Sequence, residues 1–170
     1  MLPRAAALAA LLAFGGCGRH RIVPGQDRVL SGLDALEASG FKALKGKRVG
    51  VITNHTGRNR DGRPVAEVLA SAPGVELVSV FSPEHGFAGA SEEFVVQSGT
   101  LRLAGREIPV HSLYGGGIHT MRPTQDQLAG LDAVVFDIQD IGARFYTYLA
   151  TMGMALEEAQ KAGIELVVLD

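Results

Sequence analysis

The side chains best suited to chemistry in this sequence fall into four short clusters. They are Asn54-His55-Thr56-Gly57, Ser82-Pro83-Glu84-His85-Gly86-Phe87, Tyr114-Gly115-Gly116-Gly117, and Asp137-Ile138-Gln139-Asp140-Ile141-Gly142 running on into Arg144-Phe145-Tyr146-Thr147-Tyr148. Glu84 is the sharpest of these groups. It follows a proline in a turn bounded by Gly86, directly after an apolar run, a setting that holds a carboxyl group in a partly dry pocket. Desolvation disfavours an ionised carboxylate, and a carboxyl group that keeps its proton suits a general acid. Asp137 and Asp140 are the other two catalytic candidates.

Each of the remaining groups has a structural reading beside the chemical one. Asp137 is also the polar end of a strand, and Asp140 is read first as the N-cap of the helix that follows. Asn54 either contacts a ligand or caps the next turn through its side-chain amide. His55 is read first as a solvated loop residue, His111 as packed on or beside a strand, and His119 as a surface residue. Arg144 is expected in the first turn of a helix, where a cation opposes the dipole, which points to anion binding or pairing with Asp137 or Asp140. A metal held by His55, His85 and Asp137 is conceivable, but the spacing is undistinctive, so no metal and no cofactor are expected. The sequence has no GxGxxG after its first strand, no phosphate loop, no HExxH pair and no GxSxG elbow.

The clusters sit where a particular fold would put them. Five apolar runs of strand length precede or follow them: Val49–Thr53, Leu77–Ser82, Val110–Leu113, Ala133–Ile138 and Glu165–Leu169. Four are nearly continuous Val, Ile, Leu and Phe, as expected of strands buried on both faces of a parallel sheet. Helical patterns lie around and between them: one carrying Leu33 and Leu36 and ending near Gly40, then Pro64–Ala70, Thr124–Leu128 and a long one at Ala143–Ala162. In the last, Phe145, Leu149, Met152, Leu156 and Ala159 recur at helical spacing and are read as core, with Lys161 and Gly163 closing the helix. A hairpin turning at Ala104-Gly105-Arg106 is expected beside the sheet. Strands alternating with helices make the fold class α/β, a doubly wound, mostly parallel sheet. Its ligand site is expected outside the carboxyl ends of the strands, where the four clusters fall.

Composition agrees with one globular domain. Hydrophobic residues are 46% and charged residues 20% of the 170, with a net charge of -2, so the basic footprint of a nucleic-acid binder is missing. Residues 1–17 form a separate unit: Arg4, an apolar run from Ala5 to Phe14, then Gly15-Gly16 before Cys17, the single cysteine. The order resembles a lipoprotein signal in which Cys17 becomes the lipidated N-terminus, tying the protein to a membrane outside the cytoplasm, in the periplasm or cell envelope; a plain secretory signal is the alternative. Residues 18–30, with Pro24 and Gly25, read as a tether, and 31–170 as the domain. The sequence stops at Asp170 just after a buried-strand pattern, so the domain is expected to be truncated before further structure.

Together the five motifs Thr53–Gly57, Phe81–Phe87, Ser112–Gly115, Arg122–Thr124 and Asp137–Tyr148 resemble the exo-β-N-acetylmuramidase (NamZ-like) family of peptidoglycan hexosaminidases, over about Gly32 to Asp170. The resemblance implies a Rossmann-like N-terminal domain, a second α/β domain, and a glycoside hydrolase that releases terminal β-1,4-linked N-acetylmuramic acid from peptidoglycan fragments. It also implies that Glu84 is a catalytic residue, in agreement with the reading of its turn; as a general acid it is expected to protonate the glycosidic oxygen as oxocarbenium character develops. Asp137, Asp140 or the substrate's acetamido group would supply the second function. Asn54, His55, His85, Tyr114, Arg122, Gln139, Arg144, Tyr146 and Tyr148 become the substrate-binding candidates, with Arg122 or Arg144 facing the lactyl carboxylate and one of the three tyrosines in the core. Ala88 stands where the family often has arginine. A non-catalytic envelope lipoprotein that binds muropeptides is the rival reading.

Overall fold

The computed structural model describes residues 29–89, 97–116 and 121–169; the leader, most of the tether, Cys17, Gly117 and His119 lie outside them. The chain forms six strands, β1 (Arg48–Thr53), β2 (Glu76–Ser82), β3 (Gly99–Leu103), β4 (Arg106–Ser112), β5 (Ala133–Asp137) and β6 (Glu165–Val168). Four α-helices accompany them: α1 (Gly32–Ala38), α2 (Val65–Ala70), α3 (Gln125–Leu128) and α4 (Tyr148–Ala162). The strands join in one sheet in the order β3-β4-β2-β1-β5-β6. All neighbours run parallel except β3 and β4. The parallel strands thus follow the Rossmann-type order, building outward from β1 on one side and then returning to its other side.

Alternation along the strands makes two cores. Val49 and Val51 of β1 and Ala133 and Val135 of β5 pack with Leu33 and Leu36 of α1 and Val65, Val68 and Leu69 of α2. Ile52, Val134 and Phe136 point the other way, toward Leu128 of α3 and Tyr148 and Ala155 of α4. Helices therefore cover both faces, as continuous apolar strands require. The expected hairpin is present, but its second arm is β4 itself, so the antiparallel β3 extends the sheet from the strand expected at Val110–Leu113. Its two-residue turn places Ala104 at φ 48° and Gly105 at φ 76°, the left-handed pair that tight hairpins need.

Local chemistry sets the helix ends. Ser31 and Asp34 form a reciprocal capping box on α1, and Thr124 and Gln127 form one on α3. Gly40 at φ 66° and Gly163 at φ 69° turn the chain out of α1 and α4.

The long helix departs from expectation in two ways. It starts at Tyr148 rather than Ala143, with Thr147 at its N-cap. Asp140 does not cap it: its Oδ1 accepts from the Gly142 N–H at 2.7 Å, making a tight local turn. Arg144 consequently lies in the loop before the helix rather than in its first turn. The stripe read as core holds at Ala159 and, half-buried, at Met152, but not at its other three members. Phe145, Leu149 and Leu156 are 82%, 68% and 55% exposed, while Tyr148, Thr151, Ala155, Glu158 and Ala159 form the buried face. Small residues at 155 and 159 let the helix approach the sheet closely and push the larger side chains to its flanks.

The substitution Leu156→Gln should therefore change unfolding free energy by no more than about 0.5 kcal/mol. Ala155→Leu, on the adjacent buried position, should cost about 1–3 kcal/mol by overpacking. Urea denaturation of both variants checks the assignment, and a reversed ranking would restore the original stripe to the core.

Candidate active site

The sheet order reverses at β1, which has β2 on one side and β5 on the other. Such a switch point opens a crevice beyond the carboxyl ends of the strands, and loops leaving it in opposite directions line that crevice. Thr53 and Asp137 end β1 and β5 side by side in register, and Thr53 Oγ1 donates to the Asp137 carbonyl at 2.8 Å. Asn54 is buried. Its Oδ1 accepts from the N–H and hydroxyl of Thr56 at 2.9 and 2.6 Å, and its Nδ2 donates to the Tyr148 hydroxyl at 3.3 Å. The turn-capping role of Asn54 is thus the one the structure fills. Thr56 Oγ1 in turn accepts from the Gln139 N–H at 3.0 Å, fastening the loop after β1 to the loop after β5.

The second loop carries Glu84. Residues Pro83 to Gly86 form a turn closed by the Gly86 N–H to the Pro83 carbonyl at 3.0 Å. His85 stands in the left-handed region at φ 68°. Non-glycine residues reach that region at a cost of roughly 1–2 kcal/mol, and such strain gathers where a side chain must be aimed. The turn leaves Glu84 half-buried, and its Oε2 accepts a hydrogen bond from Thr147 Oγ1 at 2.6 Å. Glu84, His85, Phe145, Tyr146, Thr147 and Tyr148 line a cleft of about 300 Å³. Its aromatic wall is braced edge to face, with Tyr146 at 6.0 Å from Phe145 and 5.3 Å from Tyr148 between ring centroids. Burial raises the Tyr148 phenol above its usual range.

Of the residues singled out in the sequence, Glu84, His85, Tyr146 and Tyr148 meet in this cleft. Two more were not singled out for it. Thr147 carried no signal beyond its place between two tyrosines, and Phe145 was assigned to the core although its ring is largely exposed. Other candidates are elsewhere. Tyr114 is the core tyrosine, fully buried, with its hydroxyl 3.4 Å from Thr151 Oγ1. Arg122 is held by Glu157 and Glu158, both at 2.9 Å. Those partners lie nine and ten residues along α4 from Tyr148, about 14–15 Å at the helical rise. Arg122 is therefore a brace between the α3 region and α4 rather than a cleft residue. Asp140 and Gln139 border a separate, more apolar groove of about 420 Å³ beside β6.

Arg144 is exposed and makes no ion pair with Asp137, Asp140 or any other acid among the described residues. His55 is exposed on its loop, with its ring filling the space where Gly89 lacks a Cβ. His111 sits on β4 against Phe81 at 5.4 Å, and burial lowers its proton affinity. His55, His85 and Asp137 are not brought together as a metal-binding group among the described residues.

The most deeply buried carboxyl of the region is Asp137, 4% exposed. Its Oδ2 has no hydrogen-bond partner, and neither has the buried Ser82 hydroxyl at the end of β2. Gly57 roofs it: a Cβ there would stand 2.6 Å from the Asp137 carbonyl oxygen and 3.2 Å from its Cγ. Burial pushes the Asp137 carboxyl from 3.8 to about 6. A carboxyl raised on folding destabilises the native state once it ionises, so stability falls as pH rises from about 4 to about 6 and the cost persists above that. A two-unit shift corresponds to about 2–3 kcal/mol. Urea unfolding across pH 4–7 should show this decline in the native protein and a flatter curve in Asp137→Asn. Parallel curves would show that Asp137 titrates alike in the folded and unfolded chain.

The chain is similar to known proteins over most of its length. Residues 49–170 match the family model for the N-terminal part of exo-β-N-acetylmuramidase NamZ. The chain is 41% identical over 143 residues to the peptidoglycan β-N-acetylmuramidase NamZ of Bacillus subtilis, covering 84% of this chain and 34% of that protein. Two crystal structures of DUF1343 family proteins from Bacteroides fragilis are also similar. One has a TM-score of 0.71 at 40% identity, covering 83% of this chain and 34% of that one. The other has a TM-score of 0.64 at 28% identity, covering 85% and 35%. The chain thus spans about a third of the length of these relatives. By its motifs, its sheet order and these matches, the chain belongs to the exo-β-N-acetylmuramidase NamZ family, of which it carries the N-terminal part.

Proposed function

We propose that this protein contributes the acid-bearing part of an exo-acting glycoside hydrolase that releases terminal β-1,4-linked N-acetylmuramic acid from peptidoglycan fragments. The observation that carries the proposal is the placement of Glu84: a half-buried carboxyl on a strained turn, beside an aromatic wall, at the mouth of the switch-point crevice. Its Oε2 is occupied by the Thr147 hydroxyl, which leaves Oε1 to carry a proton toward the substrate. Glu84 donates that proton to the glycosidic oxygen as the bond to the anomeric carbon breaks.

Asp137 and Asp140 are not among the residues that line the cleft beside Glu84. The second function, nucleophilic or basic, is left to Asp137, Asp140 or the substrate's own acetamido group. Tyr146 and Phe145 offer faces and edges for a sugar ring, and Arg144, unpaired among the described residues, suits the lactyl carboxylate of muramic acid.

In the intact gene product, Glu84→Gln should lower release of muramic acid from a natural disaccharide by at least about 100-fold. The loss should be much smaller on an aryl muramide whose phenolate leaves without protonation. Undiminished turnover of the disaccharide would remove Glu84 from the chemistry, and product formation by the native protein excludes a purely binding role. In the same assay Arg144→Ala should raise KM roughly tenfold for a muramic acid substrate but not for its glucosamine analogue; equal effects on both would dismiss the carboxylate contact.

We also propose that the protein works at the cell envelope, anchored by a lipid on Cys17. The support is the order of charge, apolar run and cysteine in residues 1–17. Palmitate labelling of cells should mark the native protein and spare Cys17→Ser; label on both would refute the anchor.

A further inference from the structure

Thr147 occupies the N-cap of α4 but does not act as a cap. A threonine at this position ordinarily turns its side-chain oxygen back to accept from the first free N–H groups of its helix. Here no side-chain capping bond is made, and the residue has helical dihedrals, φ −95° and ψ −12°. Its hydroxyl proton goes instead to Glu84 Oε2, 63 residues away in sequence, at 2.6 Å. Its carbonyl accepts from the Thr151 N–H at 2.9 Å and the Thr151 hydroxyl at 3.2 Å, which fixes the residue at the head of the helix. The usual capping bond is missing, and the hydroxyl donor points at Glu84, the one carboxyl lining the cleft among the described residues.

We infer that Thr147 is a positioning residue for the acid step: it fixes the Glu84 carboxyl in one orientation and strengthens its bond as that carboxyl becomes negative. The inference rests on the glycosidase reading of Glu84. Before reaction the proton sits on Oε1 and Thr147 donates to a neutral Oε2. As the Oε1 proton moves to the glycosidic oxygen, the electron pair of the O–H bond stays on the carboxylate and the C–O bond electrons leave with the aglycone oxygen. The Thr147 hydroxyl then donates to a charged acceptor, and hydrogen bonds to ions are roughly twice as strong as those between neutral groups. An interaction that grows between ground state and transition state raises kcat rather than lowering KM.

Three variants of the intact protein test this. Thr147→Val, close in shape but without the hydroxyl, should lose about tenfold in kcat on the natural disaccharide with KM changed less than about twofold. The loss should largely vanish on an aryl muramide that needs no acid, reproducing in weaker form the pattern of Glu84→Gln. Thr147→Ser, which keeps the donor, should recover most of the native kcat. Because the side chain makes no capping bond, the unfolding midpoint of Thr147→Val should stay near that of the native protein. An equal loss on both substrates, a loss that Thr147→Ser does not recover, or unchanged kcat in Thr147→Val would each overturn the positioning role. If Glu84→Gln is itself fully active, the reading of Glu84 fails first. An inactive Glu84→Gln beside an unaffected Thr147→Val leaves that reading intact and refutes only the inference about Thr147.

Discussion

Strands buried on both faces leave the backbone nowhere to bend except at the two ends of the sheet. In this chain the central strands β1, β2 and β5 are almost wholly enclosed by helices. Every polar group that cannot be placed inside must be carried by the loops, and here the loops at the carboxyl ends hold nearly all the reactive side chains. The reversal of strand order at β1 then spreads two of those loops apart. Site and fold are therefore set by a single constraint, the enclosure of a parallel sheet.

The loops at the crevice are held to one another by short polar bonds rather than by apolar packing. Thr53 ties β1 to β5, Thr56 ties their loops, and Asn54 reaches Tyr148 at the head of α4. A glycine at 57 lets two of these segments touch. The outcome is a rigid floor whose own polar atoms are mostly occupied, beneath a wall of residues whose functional groups remain available. Asn54 and Tyr114, which looked like contacts for a ligand, belong to this supporting layer. Glu84, Tyr146 and Phe145 belong to the wall.

Much of this was legible in the residues. The five apolar runs gave the sheet because burial on both faces leaves an unmistakable composition, and the glycines at 40 and 163 marked helix ends because few other residues take those dihedrals. Glu84 was legible for the same reason: proline before and glycine after leave few conformations for the turn between. What could not be read was the start of α4. Periodicity follows the large apolar side chains, and Phe145, Leu149 and Leu156 matched the pattern while the smaller Thr151 and Ala155 took the seat against the sheet. The role of Arg122 was hidden as well, since its partners Glu157 and Glu158 become neighbours only once α4 has docked. Side chains at one level of sequence cannot announce a contact made through another element.

The bond between Thr53 and the Asp137 backbone closes a loop of 84 residues, and that between Thr147 and Glu84 one of 63. Contacts of such span gain nothing until the intervening chain has been gathered in, and the entropy of gathering it slows their formation. The strands β1, β2 and β4 can associate from their own half of the chain, whereas the crevice exists only after β5 has crossed back to lie along β1. Assembly of the reactive centre is thereby tied to the return of the chain through β5 and α4: without them β1 keeps an open edge, and Glu84 has neither the Thr147 hydroxyl nor the aromatic wall beside it.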